Sequence, residues 1–412
     1  MKYNITTLPD GLRVIHLPSA SPVVYCGYAV NAGTRDELPG EEGMAHFCEH
    51  LTFKGTQRRR AWHILNCLES VGGDLNAFTN KEDTVYHAAV LKDNIARAVD
   101  LLTDIVFHST YPQNEIEKEV EVICDEIESY NDSPAELIYD EFENAIFNGH
   151  PLGHNILGCA SQLRTYTSAD AKRFTSRFYT PQNAIFFAYG DIDFKLLAKL
   201  LAKADRSQGN ANGAGNTAAP RPAAPLPSYH PQRIERKMDT HLAHVMVGNR
   251  AYDIHDERRI ALYLLNNMLG GPGMNARLNI SLRERNALVY TVESIMSSYS
   301  DTGLWAVYFG CDPRNTSRCL RLVRRELDKM MDKELTDSQL RAAKKQIKGQ
   351  IGVACDSRES FALDFAKSFL HYGWEKDVEK LFGQIDRVTP QMIRQVACET
   401  FDPEKATTLI IK

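Results

Sequence analysis

The segment from Gly43 to Gly55 constrains the fold more than any other, because it has helical periodicity on two opposite faces. One face carries residues spaced i, i+3, i+4 and i+7, namely His46, Glu49, His50 and Phe53. The opposite face repeats the spacing with Met44, Phe47, Cys48 and Leu51. We therefore expect a helix that is buried on both sides. Burying two imidazoles and a carboxylate is costly unless something satisfies their polar atoms.

A divalent metal ion would satisfy this polar face. His46 and His50 are one helical turn apart, so both rings can direct a nitrogen at one ion. Glu49 would project beside the ion, in the place of a general base for a water on the metal. The alternative interpretation is a set of ordinary helix residues with satisfied hydrogen bonds, because short motifs recur by chance. The glutamate and the apolar opposite face favour the metal site.

Length and composition limit the class of protein. A chain of 412 residues exceeds one ordinary core, which favours two or more domains. The net charge of −5, with 43% hydrophobic and 25% charged residues, is typical of a soluble globular protein and does not indicate a nucleic-acid partner. No apolar run approaches the roughly 20 residues needed to cross a bilayer, and the first residues do not resemble a leader. We therefore expect a cytoplasmic protein with no membrane partner.

The nine cysteines are odd in number and scattered, with no Cys-x-x-Cys pair. This usage is typical of small hydrophobic residues in a reducing compartment. Cys48 and Cys124 lie near the proposed metal site. Cys48 falls on the apolar face of its helix, so we predict that it packs in the core.

The first half of the chain reads as strands followed by helices. Strands are predicted within residues 3–32, at 76–79, at 84–90 and at 184–191, and helices at 60–71, 94–107 and 169–178. A further helix spans about 114–130, where Glu119 and Glu126 lie seven apart at the edge of an apolar stripe. These two carboxylates either reach inward or belong to a solvated acidic face, because the helix carries several other glutamates.

Residues 205–231 are rich in Gly, Asn, Ala, Ser and Pro and predict a linker. Beyond it the order of elements recurs, with strands at 244–247, 289–297, 303–310 and 407–411 and helices at 257–269, 316–334 and from 338 onward. The recurrence suggests a structural duplication. The second half has no His-x-x-Glu-His motif. We predict an N-terminal metal-binding domain at 1–204, the linker at 205–231 and a C-terminal domain without the motif at 232–412.

Taken together, these segments resemble the pitrilysin-type zinc peptidases, or inverzincins, whose motif is His-x-x-Glu-His. The resemblance covers nearly the whole chain outside the linker. It includes Asp10-Gly11-Leu12-Arg13, Ala32-Gly33-Thr34-Arg35, the segment from Gly43 to Thr56, Gly72-Gly73 with Asn76-Ala77, Leu157-Gly158, Gly270-Gly271, and the stretch from Leu282 to Tyr290.

The resemblance implies the metal ligands. In that family a downstream glutamate is the third zinc ligand, and a second glutamate seven residues before it supports the site. Glu126 and Glu119 match these positions. His46, His50 and Glu126 would then hold one Zn²⁺ per chain and leave a fourth position for water. Glu49 would pass a proton from that water to the leaving amine, and Glu119 would orient a ligand.

The resemblance also implies contacts to the substrate. Arg283 and Tyr290 match an arginine and a tyrosine, seven apart, that complete the family's site across a closed clamp. The tyrosine would stabilise the oxyanion and the arginine would hold substrate. Without the resemblance, the alternative of a core tyrosine and a surface arginine would be preferred. Asn76 and Ala77 match an edge strand that pairs with the substrate backbone. Asn286-Ala287 stand where the family usually has a basic residue followed by glycine, and Cys48 stands where an aliphatic residue is common.

We therefore expect an α+β fold of two homologous domains, each an antiparallel β-sheet flanked by helices. The resemblance implies a zinc-dependent endopeptidase that acts on peptides or unfolded segments. A chain of this size is half of the family's four-domain clamp, so a homodimer enclosing a chamber is expected. The alternatives are a processing peptidase that removes presequences, or a non-catalytic partner subunit of a larger complex. The retention of His46, Glu49, His50 and Glu126 argues against the non-catalytic alternative.

Overall fold

The computed structural model describes residues 2–206 and 225–412. The strands are β1 (Asn4–Thr7), β2 (Arg13–Pro18), β3 (Val23–Val30), β4 (Asp74–Thr79), β5 (Thr84–Leu91), β6 (Ala184–Gly190), β7 (Arg233–Arg236), β8 (Ala243–Ala251), β9 (Val289–Ser298), β10 (Gly303–Cys311) and β11 (Thr407–Ile411). The helices are α1 (Met44–Thr52), α2 (Ala61–Glu69), α3 (Ile95–His108), α4 (Gln113–Asn131), α5 (Pro134–Ile146), α6 (Ala160–Leu163), α7 (Ser168–Phe178), α8 (Phe194–Lys203), α9 (Arg258–Gly270), α10 (Thr316–Asp332), α11 (Asp337–Ala354), α12 (Arg358–Tyr372), α13 (Val378–Arg387) and α14 (Pro390–Thr400). A π-helical turn spans Asn279–Glu284.

Most of these elements agree with the sequence prediction to within a few residues. Helix α6, strand β7, helix α8 and the π-helical turn fall outside it, and the helical region predicted from residue 338 onward divides into α11, α12, α13 and α14. The strand β7 has one apolar residue, Ile234, and exists because its backbone pairs with β11. Such pairing leaves little trace in local composition. Helix α8 has a clear amphipathic repeat, and the Asp193 carboxylate caps its start by accepting from the backbone N–H groups of Lys195 and Leu196.

The described residues form two compact units. Unit 1 comprises residues 2–128, 154–206 and 355–376, and unit 2 comprises 129–153, 225–354 and 377–412. The sheet of unit 1 has the strand order β1-β2-β6-β3-β5-β4, and that of unit 2 has the order β7-β11-β8-β10-β9. Both sheets are antiparallel except for one parallel pair each, β2 with β6 and β7 with β11. The predicted α+β class with two sheet-and-helix domains is confirmed.

Apart from β1, which has no counterpart among the described residues of unit 2, the two sheets share one topology, and this agrees with the predicted duplication. Starting from the parallel pair, both sheets place an antiparallel strand next to it and then a hairpin, so β2, β6, β3, β5 and β4 correspond to β7, β11, β8, β10 and β9. The helices follow the same order along the chain. Thus α1 corresponds to α9, α3 to α10, α4 to α11 and α5 to α12.

The units are not continuous in sequence and so differ from the predicted contiguous division in two segments. Helix α5 belongs to unit 2, where Leu137 and Phe142 share a core with Met246 of β8. Helix α12 belongs to unit 1, where Phe365 contacts Phe187 of β6. A sheet with two apolar faces needs helices on both, and in each unit one covering helix comes from the other half of the chain.

Residues 207–224, most of the predicted linker, lie outside the described residues. Its described ends make specific contacts. The buried Arg206 donates from Nε to the Asp10 carboxylate at 2.7 Å in unit 1. The Tyr229 hydroxyl donates to the Lys405 carbonyl at 2.8 Å in unit 2. No helix in the described parts of the chain is long and apolar enough to cross a membrane.

Candidate metal centre

The start of helix α1 is held in place by Glu37. The buried Glu37 carboxylate accepts hydrogen bonds from the backbone N–H groups of Gly43, at 3.0 Å, and Ala45, at 2.8 Å. A carboxylate at a helix N-terminus satisfies free N–H groups and interacts favourably with the helix dipole. Burial raises the pKa of Glu37 well above its usual value, although the two backbone hydrogen bonds oppose this. Gly43 has φ +87°, and a Cβ there would lie 2.7 Å from the Leu157 carbonyl oxygen, so only glycine fits.

Both faces of α1 are buried, as predicted. Met44, Phe47, Cys48 and Leu51 have no exposed surface and belong to the unit 1 core. The Cys48 thiol lies 3.8 Å from the Ala171 carbonyl, which confirms its predicted packing role. On the other face His46 and Glu49 are buried and His50 is partly buried. The core therefore holds the helix in one rotation, with its polar face directed at α4.

His46, His50 and Glu126 are brought together, each with one donor atom within 4.8 Å of the others. A single carboxylate oxygen, Oε2 of Glu126, lies 3.5 Å from Nε2 of His50 and 3.9 Å from Nε2 of His46. The structure thus joins two segments, α1 and α4, that the sequence connects only through the family resemblance. Two imidazole nitrogens and one carboxylate oxygen are a donor set that suits a divalent transition-metal ion and leaves a position open.

The electrostatics of the group fit a cation. Burial lowers the pKa of His46 to about 4, with a further contribution from the His50 charge and an opposing one from Glu126. His46 is therefore a neutral ring, and its Nδ1 is buried without a hydrogen-bond partner among the described residues. Burial alone would lower the pKa of His50, but hydrogen bonds to Glu119 and Glu126 outweigh it and raise the pKa to about 9. A proton on His50 thus offsets the negative charge of Glu119 and Glu126, which a bound metal ion would offset in its place.

Glu119 contacts Nδ1 of His50, the ring nitrogen opposite the one that faces Glu126. Its Oε1 lies 3.0 Å from Nδ1 of His50, and its Oε2 lies 2.6 Å from the Lys54 ammonium. Burial would raise the pKa of Glu119, but the contacts with His50 and Lys54 outweigh it and lower the pKa. An acceptor at Nδ1 fixes the ring and directs Nε2 at the ligand site.

Glu49 is buried beside the histidines. Burial raises its pKa, and the Thr79 hydroxyl, which donates to Oε2 at 2.6 Å, partly opposes the shift. Thr79 ends β4, one of the two edge strands of its sheet. Asn76 and Ala77 lie on this strand, which pairs on one side with β5. Glu49 and the edge strand β4 are therefore adjacent.

Arg283 and Tyr290 belong to unit 2, whereas the other predicted site residues belong to unit 1. Arg283 belongs to the π-helical turn, with its Nε 3.8 Å from Glu284. Tyr290 lies on β9 and is 85% exposed. Between them Ala287 has φ +48°, a left-handed conformation that glycine adopts without strain. The loop thus keeps a glycine-like backbone with an alanine side chain, and the roles of Arg283 and Tyr290 stay predictions.

Sequence reasoning missed three residues that support the site: Glu37, Lys54 and Thr79. Lys54 had a local signal, because it lies four residues after His50. Thr79 had a weaker one, since it shares a strand face with Ala77. Glu37 had none, because its partners are backbone N–H groups six and eight residues away across a loop.

The chain matches known families over most of its length. Residues 13–160 match the family described as Insulinase (Peptidase family M16), and residues 165–347 match the Peptidase M16 inactive domain. The second match agrees with the absence of the motif from the second half of the sequence.

Individual relatives cover nearly the whole chain. An uncharacterized zinc protease of Streptomyces coelicolor is 33% identical over 413 residues, covering 98% of this chain and 88% of the relative. The uncharacterized zinc protease YmxG of Bacillus subtilis is 30% identical over 409 residues, covering 98% and 97%. The crystal structure of a protease from Helicobacter pylori is 23% identical, with a TM-score of 0.89 over 100% of this chain and 99% of that one, which shows a shared fold. This chain belongs to the insulinase family of peptidases, family M16.

Proposed function

We propose that this protein is a zinc-dependent endopeptidase that hydrolyses peptides or unfolded segments. The observation that carries the proposal is the convergence of His46, His50 and Glu126, with the buried carboxylate of Glu49 on the same helix face. The donor set suits zinc, and the relatives named zinc proteases support that metal. When bound, Zn²⁺ supplies Lewis-acid activation of water and of the scissile carbonyl.

The residues of the chain supply the proton transfers. Glu49 takes a proton from the attacking water and delivers it to the leaving amine. A general base works best when its pKa lies near the working pH, and burial moves the pKa of Glu49 upward in that direction. Thr79 holds one oxygen of Glu49, which leaves the other to receive the proton. Glu119 keeps His50 oriented through Nδ1.

Strand β4 is proposed to bind the substrate backbone. It ends the strand order of its sheet, and its last residue contacts Glu49. An extended peptide that adds to this edge near Asn76 and Ala77 would pass beside the base. Pairing of this kind needs an extended chain, which favours peptides and unfolded segments as substrates. Arg283 and Tyr290 are proposed to hold the substrate and to stabilise the oxyanion. A homodimer that encloses the substrate is proposed on the family resemblance.

The central experiment combines metal analysis with digestion of a peptide library. Purified protein is expected to hold one zinc per chain and to cut many library peptides. The Glu49→Gln variant should keep the zinc and lose at least about 10³-fold in kcat/KM, because it has no base. Glu121→Gln, on the exposed side of α4, is the matched control and should behave as the unaltered protein.

The outcomes separate the alternatives. Mass spectrometry that shows a single cut at the junction between a presequence and the chain that follows it, and little other cleavage, would indicate a processing peptidase. Zinc binding without hydrolysis of any peptide would indicate a non-catalytic subunit. Hydrolysis by Glu49→Gln at the rate of the unaltered protein would overturn the assigned base.

A further inference from the structure

We propose that Lys54 is a positioning residue that acts through Glu119 to hold His50 in the orientation that binds metal. The inference rests on the proposed function, because it concerns the same site. Neither the motif nor the resemblance assigns a role to this lysine. Its role is read from contacts between the end of α1 and the middle of α4.

The contacts form a chain of three side chains. The Lys54 ammonium lies 2.6 Å from Oε2 of Glu119, and Oε1 of the same carboxylate lies 3.0 Å from Nδ1 of His50. Each oxygen of Glu119 thus has its own partner. The carboxylate cannot rotate without breaking one of the two contacts. Glu119 is buried, so little water is available to replace a lost partner.

The direction of the hydrogen bonds determines which atom of His50 would face a metal ion. An ammonium group has donors and no acceptor, so Glu119 accepts from Lys54. A carboxylate held as an acceptor at both oxygens receives the Nδ1–H of His50. Nε2 is then the ring atom directed at Glu126, at 3.5 Å. Lys54 therefore favours the tautomer and ring rotation that present Nε2 to the ion.

A purely electrostatic role predicts the opposite effect on metal affinity. A cation close to a metal site repels the incoming ion, so its removal should tighten binding. A positioning role predicts that removal weakens binding, because Glu119 loses the partner of one oxygen. The sign of the change in zinc affinity on removal of Lys54 therefore distinguishes the two roles.

The chain offers a matched control on α4, the helix that carries Glu119. Lys118 pairs with Glu115 at 2.8 Å, an ordinary pair three residues apart on the surface of α4. The Lys118 side chain is 69% exposed and that of Lys54 is 29% exposed. An exposed pair of this kind contributes little to stability or to a distant site.

The test measures the zinc dissociation constant by competition with a chromophoric chelator, together with the visible spectrum of the Co²⁺ form. Lys54→Met is expected to weaken zinc binding about 10- to 100-fold and to alter the Co²⁺ spectrum, as for other residues that orient a metal ligand. Lys54→Arg keeps a cationic donor and should retain most of the affinity. Lys118→Met should leave both readouts unchanged. In the Glu119→Gln background, Lys54→Met should cost nothing further.

Three results would overturn the proposal: unchanged or tighter zinc binding by Lys54→Met, loss of affinity by Lys118→Met to the same degree, or independent losses in the double variant. If Lys54→Met does not fold, as judged by thermal unfolding without metal, Lys54→Gln carries the same prediction. Failure of the unaltered protein to bind zinc or cut peptides would instead refute the proposed function. Normal zinc binding and hydrolysis in both proteins would refute only the role of Lys54.

Discussion

Helices α1 and α9 hold corresponding positions in the two units, yet their polar residues have different partners. On α9 the Asn266 side chain accepts from the Trp305 indole N–H at 3.1 Å and donates to the Ser294 carbonyl at 3.0 Å. On α1 the Nε2 atoms of His46 and His50 converge on Glu126. In unit 2 the polar atoms of Asn266 are satisfied by hydrogen bonds within the fold. In unit 1 the Nε2 atoms of both histidines and one oxygen of Glu126 are placed where they could bind an ion.

The corresponding helices α4 and α11 show the same contrast. Counted from the first residue of each helix, Glu119 and Glu126 of α4 correspond to Ala343 and Gln350 of α11. Neither residue of α11 can supply a carboxylate. The two units thus share a scaffold, and a few side chains give unit 1 the donor set of the candidate metal centre.

The largest expected effect comes from making α4 resemble α11. Glu126→Gln places in α4 the residue type of Gln350 and removes the anionic ligand. We expect zinc affinity to fall by at least about 100-fold, with little change in folding because the Glu126 side chain is 35% exposed. Chelator competition and thermal unfolding measure the two quantities. The reciprocal Gln350→Glu variant should still bind one zinc per chain, and a second bound zinc would contradict the contrast between the units.

The second effect is a pH dependence confined to unit 1. Burial alone would lower the pKa of His50, but the hydrogen bonds to Glu119 and Glu126 raise it to about 9, so at pH 7 this ring carries a proton that zinc must displace. Zinc affinity is therefore expected to rise about tenfold per pH unit between pH 7 and 9 and then to level off. Glu119→Gln removes a contact that raises this pKa and should flatten the curve. An affinity independent of pH in the unaltered protein would contradict the assignment.

The smallest effect concerns the loop of unit 2. In unit 1, Gly72 lies just after α2 and has φ +71°. In unit 2, Ala287 lies just after the π-helical turn and has φ +48°. Ala287→Gly is expected to stabilise the protein by about 0.5–1 kcal/mol, because relief of the left-handed strain exceeds the entropy cost of glycine. Chemical denaturation measures the change. Ala342→Gly, inside helix α11, should instead destabilise by about 1 kcal/mol, and equal effects of the two variants would argue against strain at Ala287.

Several features of the site could be predicted because they are local. Helical periodicity was enough to put His46, Glu49 and His50 on one face of a doubly buried helix, and Glu119 and Glu126 at the edge of another stripe. The repeated order of strands and helices was enough to suggest a duplication. The meeting of these two helices came from the family resemblance, because periodicity carries no information about which helices pack together.

The sequence by itself therefore determined most of the elements, the faces they bury and, with the family resemblance, the residues of the candidate metal centre. Only the tertiary structure decided that α5 and α12 each belong with the sheet of the other half, that Glu37 anchors the start of α1, and that Lys54 and Thr79 hold Glu119 and Glu49. The physical reason is that the periodicity of a segment depends on residues that are close together in the chain. The hydrogen-bond partner of a side chain depends on segments that only folding brings close.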